Sequence, residues 1–160
     1  MTSADRAKAS AIQQMEIFLR NFSKVPDDRL NWSPTLTSKS ALRIAAHTAL
    51  YAGRFAKMIR EKQLPQPSDL DLWLAEKTEE ERAITTRQEV EAVFRSGTLE
   101  VIEAIDGLSQ EDLDSTLEAG HGGAFTMDHL IHLPGWHATV HLGQIDFLQT
   151  CWDDQTVYLS

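Results

Sequence analysis

Apolar residues recur at steps of three and four in four long segments of the chain, which is the spacing that places them on one face of an α-helix. We therefore predict helices at about 2–22, from Ser38 or Ser40 to just before Leu64, at about 86–106 and at about 127–152. No segment alternates apolar and polar residues over a length that requires a sheet. The pattern predicts an all-α fold in which four helices surround one core.

Residues that cap or break helices mark several of these limits. Thr86 and Glu89 have the spacing of a capping box at the start of the third helix, and Gly107 suits its end. Thr126 is the predicted N-cap of the fourth helix. Within that helix, Pro134 removes one backbone donor, so we expect it to kink the helix or to restart it one turn before the residues discussed below.

The long connection between the second and third helices is strongly acidic. We expect residues 69–81 to form a solvated excursion in which Leu70, Leu72 and Trp73 are tucked inward and the acidic run at 79–81 lies at the surface. Five large aromatic residues elsewhere are assigned to the core: Trp32, Tyr51, Phe55, Trp136 and Trp152.

The composition is that of one soluble globular domain spanning residues 1–160. Hydrophobic residues make up 42% of the chain and charged residues 24%, both near the averages of such domains. The formal net charge of -9 repels phosphate backbones and anionic bilayers, so we predict no nucleic-acid partner and no membrane partner. No apolar run approaches the roughly 20 residues that span a bilayer, and the first residues lack the features of a signal peptide, which predicts a cytoplasmic protein.

The residues of greatest chemical interest are His137 and His141. Histidines four apart lie on one face of a helix, with Cβ atoms roughly 5–6 Å apart, so their imidazoles can converge on one metal ion. His47 lies on the apolar face of the second helix and can supply a third ligand. The alternative for each is a histidine that is hydrogen-bonded in or beside the core. Three imidazole ligands leave a position open for water or substrate, which is typical of a reactive metal site.

Four other residues have weaker claims to a functional role. In a straight helix His129 and His132 do not align with the histidine pair, so we expect them at the surface. His121 lies in the glycine-rich segment 120–123, which is predicted to be a flexible loop from which it could reach a site. Cys151 is the only cysteine, which excludes an internal disulfide, and we expect it to fill space rather than to act as a nucleophile.

Two residues that follow the histidine pair also suggest a role. A glycine inside a helix costs about 1 kcal/mol relative to alanine, so Gly143 indicates the close approach of a neighbouring helix or subunit. Gln144 comes three residues after His141, and we predict that it reaches the imidazole of that residue and orients it as a metal ligand.

Three stretches of the sequence together resemble the DinB/YfiT-like superfamily. They are RLNWSP at 29–34, the segment from Ser40-Ala41-Leu42 to His47, and the pattern His-x-x-x-His-x-Gly-Gln-Ile at 137–145. The resemblance covers residues 11–153, although Pro134-Gly135 departs from the usual pattern just before the histidine pair. It implies an up-down-down-up four-helix bundle whose three histidines, matched here by His47, His137 and His141, bind a divalent ion such as zinc or nickel.

The resemblance also implies a range of functions and a homodimer. Family members with assigned activities are metal-dependent transferases or isomerases that use low-molecular-weight thiols, including bacillithiol, mycothiol and glutathione. A thiol transferase acting on a small electrophile is therefore the preferred hypothesis for this chain. A metal-assisted hydrolase is the competing enzyme. The second class of hypothesis is a non-enzymatic protein that binds a ligand or assembles as a homodimer, because no general base is evident outside the three histidines.

Overall fold

The computed structural model describes residues 1–118 and 123–158, and most of them are helical. In chain order the elements are α1 (Ser3–Ser23), α2 (Ala41–Glu61), α3 (Leu70–Ala83), α4 (Arg87–Asp106), α5 (Gln110–Asp114), β1 (Thr116–Glu118), β2 (Ala124–Thr126) and α6 (Met127–Thr150). The strands β1 and β2 form a short antiparallel hairpin in which Thr116 pairs with Thr126. The prediction of an all-α fold is confirmed, and the four predicted helices correspond to α1, α2, α4 and α6.

The directions of the four long helices follow from the contacts between them. In α1 and α6, Ser3 hydrogen-bonds His132 near both starts and Asn21 hydrogen-bonds Asp146 near both ends, so these helices are parallel. The ion pairs Lys8–Asp106 and Glu16–Arg95 run in opposite order along α1 and α4, which are therefore antiparallel.

The helix α2 completes the bundle between α4 and α6. Arg43, near the start of α2, contacts the residues just before α4, and Arg60, near its end, pairs with Glu100 far along α4, so α2 and α4 are parallel. Because α1 and α6 point one way and α2 and α4 the other, the topology is up-down-down-up. The four helices form a ring in the order α1, α6, α2, α4.

Two glycines allow the bundle helices to approach closely. A Cβ on Gly97 in α4 would lie 2.7 Å from the backbone nitrogen of Gly53 in α2. A Cβ on Gly135 in α6 would overlap the hydroxyl of Ser10 in α1 and lie 3.2 Å from its backbone carbonyl carbon. The prediction of a close neighbour at Gly143 fails within the described part of this chain, because a Cβ there meets nothing within 4 Å.

The helix α6 continues through Pro134, so the predicted restart before the histidine pair does not occur. Thr126 caps the helix as predicted, because its hydroxyl accepts a hydrogen bond from the backbone N–H of His129. Pro134 and its neighbour Gly135 are both buried. The contacts of α6 with α1 and α2 offset the backbone hydrogen bond that a proline inside a helix removes.

The acidic connection contains a regular helix, α3, which the sequence interpretation missed. Leu70 and Leu72 are each 58% exposed, so the prediction that they are tucked inward is wrong. The inward face of α3 carries Trp73, Lys77 and Glu81, which follow one another at helical steps of four. Glu81 is the only fully buried residue of α3, which corrects the prediction that the whole acidic run is solvated.

An exposed apolar surface runs along α6. It consists of Trp136, Val140 and Phe147, and we call it the α6 stripe. Trp136 is 62% exposed and Phe147 is 64% exposed, so the assignment of Trp136 to the core is wrong. Gly143 lies between Val140 and Phe147 on the same side of the helix. In the described part of the chain, no helix combines the length and the apolar character needed to cross a membrane.

Candidate metal centre

The bundle brings together the three histidines that the sequence singled out. His47 lies in α2, and His137 and His141 lie one turn apart in α6. Because α2 and α6 are antiparallel neighbours, the three rings face one another across the contact between these helices. One ring nitrogen from each histidine lies within 4.8 Å of the others, and each residue is half-buried.

The separation of the two α6 histidines suits a shared ligand. Their Nε2 atoms are 3.1 Å apart, and their ring centroids are 4.3 Å apart. Two nitrogens bound to one zinc ion at the usual distance and at a tetrahedral angle lie roughly 3.3 Å apart. The ring of His47 lies 4.7 Å from that of His141 and 5.2 Å from that of His137, between centroids. The donor set is therefore chemically and geometrically suited to one divalent ion.

The orientation of His47 is fixed by a carboxylate from α3. The Nδ1–H of His47 donates to Oε1 of Glu81 at 2.6 Å, and the other oxygen of Glu81 accepts from Lys39 at 2.6 Å. The guanidinium of Arg43 donates to the backbone carbonyls of Glu81 and Ile84 and so holds this end of α3 against α2. With Nδ1 bonded to Glu81, Nε2 is the ring nitrogen of His47 that is left to bind a metal ion.

Gln144 contacts His141, and the sequence predicts that it reaches this ring. The amide oxygen of Gln144 is only an acceptor, so Nδ1 of His141 carries the proton that bonds it at 2.7 Å. In a neutral imidazole the other nitrogen, Nε2, then carries a lone pair and no proton. This is the atom that faces His137. Neighbouring side chains therefore fix the orientation of two of the three rings.

The electrostatics of the site keep the two α6 histidines neutral and Glu81 charged. Burial lowers the pKa of His137 from 6.5 to about 3, and positive charge on His141 or His47 would lower it further. Burial also lowers the pKa of His141 and outweighs the opposing effect of the hydrogen bond that His141 donates to Gln144. Burial alone would raise the pKa of Glu81, but hydrogen bonds from His47 and Lys39 outweigh it and lower that pKa. Metal ligands must be deprotonated, and both α6 imidazoles meet this requirement at neutral pH.

Two aromatic rings of α2 line the side of the site on which His137 lies. The ring of Tyr51 lies 4.5 Å from that of His47 and is stacked 4.9 Å from that of His137. Phe55, one turn further along α2, meets the edge of His137 at 5.4 Å. These rings shield the histidines on one side and are positioned to wall a substrate pocket.

Three other candidate residues, His129, His132 and Cys151, are not part of the histidine cluster. His132 hydrogen-bonds Ser3 in α1, and His129 is exposed beside Phe125. His121 lies outside the described residues. Cys151 is exposed and donates its thiol hydrogen to a carbonyl of α6, so it is not the space-filling residue that the sequence predicted.

Glu81 is the residue of the candidate site that the sequence does not identify. It stands in a run of three glutamates and no local motif distinguishes it. The usable signal is the step of four from Trp73 through Lys77, which puts Glu81 on the same face of a helix as Trp73 and puts Glu79 and Glu80 on other faces.

The fold and the site together make this protein a four-helix bundle with a candidate metal site between α2 and α6. The family model of the DinB superfamily matches residues 12–145, and the chain belongs to that superfamily. No protein of curated function matches the sequence.

Several solved structures share the fold. A DinB-like protein of Bacillus subtilis is 16% identical with a TM-score of 0.66, and the match covers 96% of both chains. A protein of Clostridium difficile 630 is 14% identical with a TM-score of 0.70, over 98% of this chain and 99% of the other. A mycothiol-dependent maleylpyruvate isomerase is 10% identical with a TM-score of 0.69, over 89% of this chain. The match covers 60% of the isomerase, so that enzyme is substantially longer than the region it shares.

Proposed function

We propose that His47, His137 and His141 bind one divalent metal ion, zinc or nickel, and that the protein is a metal-dependent transferase joining a low-molecular-weight thiol to a small electrophile. The observation that carries the metal site is the convergence of three imidazoles, of which His47 and His141 are held by Glu81 and Gln144. Zinc and nickel both accept imidazole ligands.

The donor set favours catalysis over a purely structural role. A structural zinc site has four protein ligands, whereas the described residues offer three here. When bound, a divalent ion supplies the Lewis acidity that lowers the pKa of a thiol or of water toward neutrality. The chain itself contributes the ligands, their orientation by Glu81 and Gln144, and the aromatic wall of Tyr51 and Phe55 that excludes water from one side.

The thiol is proposed on the strength of a structural relative. The isomerase with the same fold depends on mycothiol. The corresponding reaction class is the attack of a thiolate sulfur on an electrophilic carbon, in which the thiol proton passes to solvent and any leaving group departs with its bonding electrons. The cytoplasm, where small thiols are kept reduced, is the compartment that suits this chemistry.

The first experiment is elemental analysis of untagged protein after dialysis against metal-free buffer and again after exposure to zinc or nickel. We expect about one equivalent of metal in the wild type and little in His137→Ala. His132→Ala is the matched control. His132 lies in the same helix as His137 but hydrogen-bonds Ser3 and is not part of the histidine cluster. Equal metal content in the wild type and His137→Ala, or no retained metal in either, would overturn the proposed site.

The activity is tested separately with metal-loaded and chelated protein. Consumption of mycothiol, bacillithiol or glutathione in the presence of chlorodinitrobenzene should require the metal and return when it is restored. Parallel hydrolysis of nitrophenyl acetate distinguishes a metal-assisted hydrolase, which would act on the ester without any thiol. Thiol transfer that persists in metal-free protein would refute the transferase.

A second role, homodimer assembly, is favoured by the α6 stripe. Trp136 and Phe147 are each more than three-fifths exposed, and fully buried aromatic residues contribute roughly 150–250 Å² each. A two-fold axis near Gly143 would let two α6 helices cross where no side chain intervenes, and would bury both aromatic residues of both copies. We therefore propose a homodimer through this stripe, with or without catalysis at the histidines.

A further inference from the structure

A cavity of about 310 Å³ lies beside the histidine cluster, between α2, α3 and the segment that follows α2. This volume is at the lower end of the range for small-molecule sites. Its apolar walls are Met58, Leu64, Pro65 and Trp73. Tyr51 lines the cavity and also stacks on the ring of His137, so one side chain contacts both the cavity and a candidate metal ligand.

The charges that line this cavity are mainly positive. They are Arg54, Lys57 and Lys77, together with one carboxylate, Glu61. A positive pocket stands out in a chain of net charge -9. The nearby carboxylate of Glu80 pairs with both Arg54 and Lys77, so three cations and two carboxylates leave about one positive charge. That balance favours a monoanion as the guest.

Arg54, which lines the cavity, has a buried donor without a partner among the described residues. Its Nη2 donates to Glu80 at 2.7 Å, and its guanidinium lies 4.6 Å from the centre of the Tyr51 ring. Its Nη1 is buried, and no acceptor for it lies within hydrogen-bond distance among residues 1–118 and 123–158. Buried donors are nearly always paired, so a guanidinium nitrogen without a partner among the described residues is a candidate for bonding an acceptor on a ligand.

We propose that this cavity binds the carboxylate-bearing end of a small apolar molecule, with Arg54 as the principal anion-binding residue and Lys77 as its support. The guanidinium of Arg54 donates a charge-assisted hydrogen bond to one carboxylate oxygen, and the apolar part of the guest lies against Trp73 and Met58. The inference rests on the proposed function in one respect: it takes the bound molecule to be the electrophile of the thiol-transfer reaction. The electrophile is then a small organic acid held beside the histidines.

The test uses benzoate as the probe and benzamide as its uncharged counterpart, with chelated protein so that benzoate cannot ligate a metal. Binding is followed by NMR at the indole N–H of Trp73, assigned with Trp73→Phe. We expect benzoate to bind more tightly than benzamide and Arg54→Gln to weaken benzoate about tenfold or more, because a charged hydrogen bond is lost. The affinity for benzamide should not change.

Arg60→Gln is the matched control. Arg60 lies in the same helix but pairs with Glu100 of α4, so this variant removes the same charge outside the cavity. Lys77→Gln provides a second variant within the cavity if Arg54→Gln does not fold, and it should weaken benzoate while sparing benzamide. The absence of benzoate binding to the wild type, equal binding of benzamide, or an equal loss in Arg60→Gln would each overturn the proposal.

The outcome is independent of the metal. Benzoate should bind His137→Ala as it binds the wild type, because His137 does not line the cavity. Metal retention without benzoate binding would leave the proposed metal site intact and remove the cavity as an acid-binding site. Benzoate binding without metal retention would do the reverse.

Discussion

Replacing Glu81 by glutamine tests whether the carboxylate from α3 prepares the metal site. Glutamine keeps an oxygen that can accept the Nδ1–H of His47, so the substitution removes mainly the negative charge. It also leaves the ammonium group of Lys39, which lies 3.4 Å from Nδ1 of His47, without its carboxylate partner. Both effects disfavour a cation bound at Nε2 of the same ring.

The expected loss in metal affinity follows from the burial of this carboxylate. Glu81 is only 5% exposed, so water screens its charge weakly. Loss of an outer carboxylate partner of a metal-binding histidine typically costs 10–100-fold in affinity, or about 1.4–2.8 kcal/mol. We expect the loss of zinc affinity in Glu81→Gln to be about 10-fold, because glutamine retains an acceptor for His47. The loss in Glu81→Ala should be about 100-fold.

The assay is an equilibrium competition for zinc between the protein and a chelator of known affinity. Glu79→Gln is the matched control, because Glu79 lies in the same helix, is largely exposed and pairs only with Arg82 among the described ion pairs. Circular dichroism of the metal-free variants checks that each is folded. Zinc affinities of Glu81→Gln and Glu81→Ala within twofold of the wild type would refute the reasoning that Glu81 supports His47 as a ligand.

Three further predictions concern stability and assembly. Gly97→Ala should lower the free energy of unfolding by about 1–3 kcal/mol, because the added Cβ meets the backbone nitrogen of Gly53 at 2.7 Å. Gly53→Ala should raise it by about 0.4–1 kcal/mol, because a Cβ there meets nothing within 4 Å. Urea unfolding measures both changes. Folding lowers the pKa of His137 from 6.5 to about 3. Between these pH values the unfolded chain binds a proton at His137 and the folded protein does not. The stability of metal-free protein should therefore fall as the pH falls from 6.5 to about 3. The slope from this residue is up to about 1.4 kcal/mol per pH unit, and His137→Gln should lose it; an unchanged slope would contradict the burial of this ring. Phe147→Lys should convert a dimer to a monomer in sedimentation velocity, and a dimer that survives the substitution would exclude the α6 stripe as its interface.

The sequence was sufficient for the parts of the site that depend on helical period. The step of four between His137 and His141 sets their direction on α6, and the apolar face of α2 sets that of His47. Gln144 was also found in this way, since three residues along a helix bring its amide to the ring of His141. These relations are local, and folding preserves them.

The features that were missed depend on which elements pack together. The bond between Glu81 and His47 joins residues on different helices, and no local pattern encodes that pairing. Trp136 was assigned to the core because α6 carries apolar residues around most of its circumference, so its pattern does not reveal which side faces water. Proline similarly suggested a break in α6, but the buried position of Pro134 against the bundle overrides the local preference.

The slight burial of α3 limits how firmly the site can be held. Glu81 is the only fully buried residue of this helix, although α3 also supplies Trp73 and Lys77 to the cavity. A segment with few buried contacts opens by local unfolding at a smaller free energy than the whole domain. Amide hydrogens of α3 should therefore exchange with solvent before those of α2 or α6, and each opening would release His47 from its carboxylate and expose the cavity together.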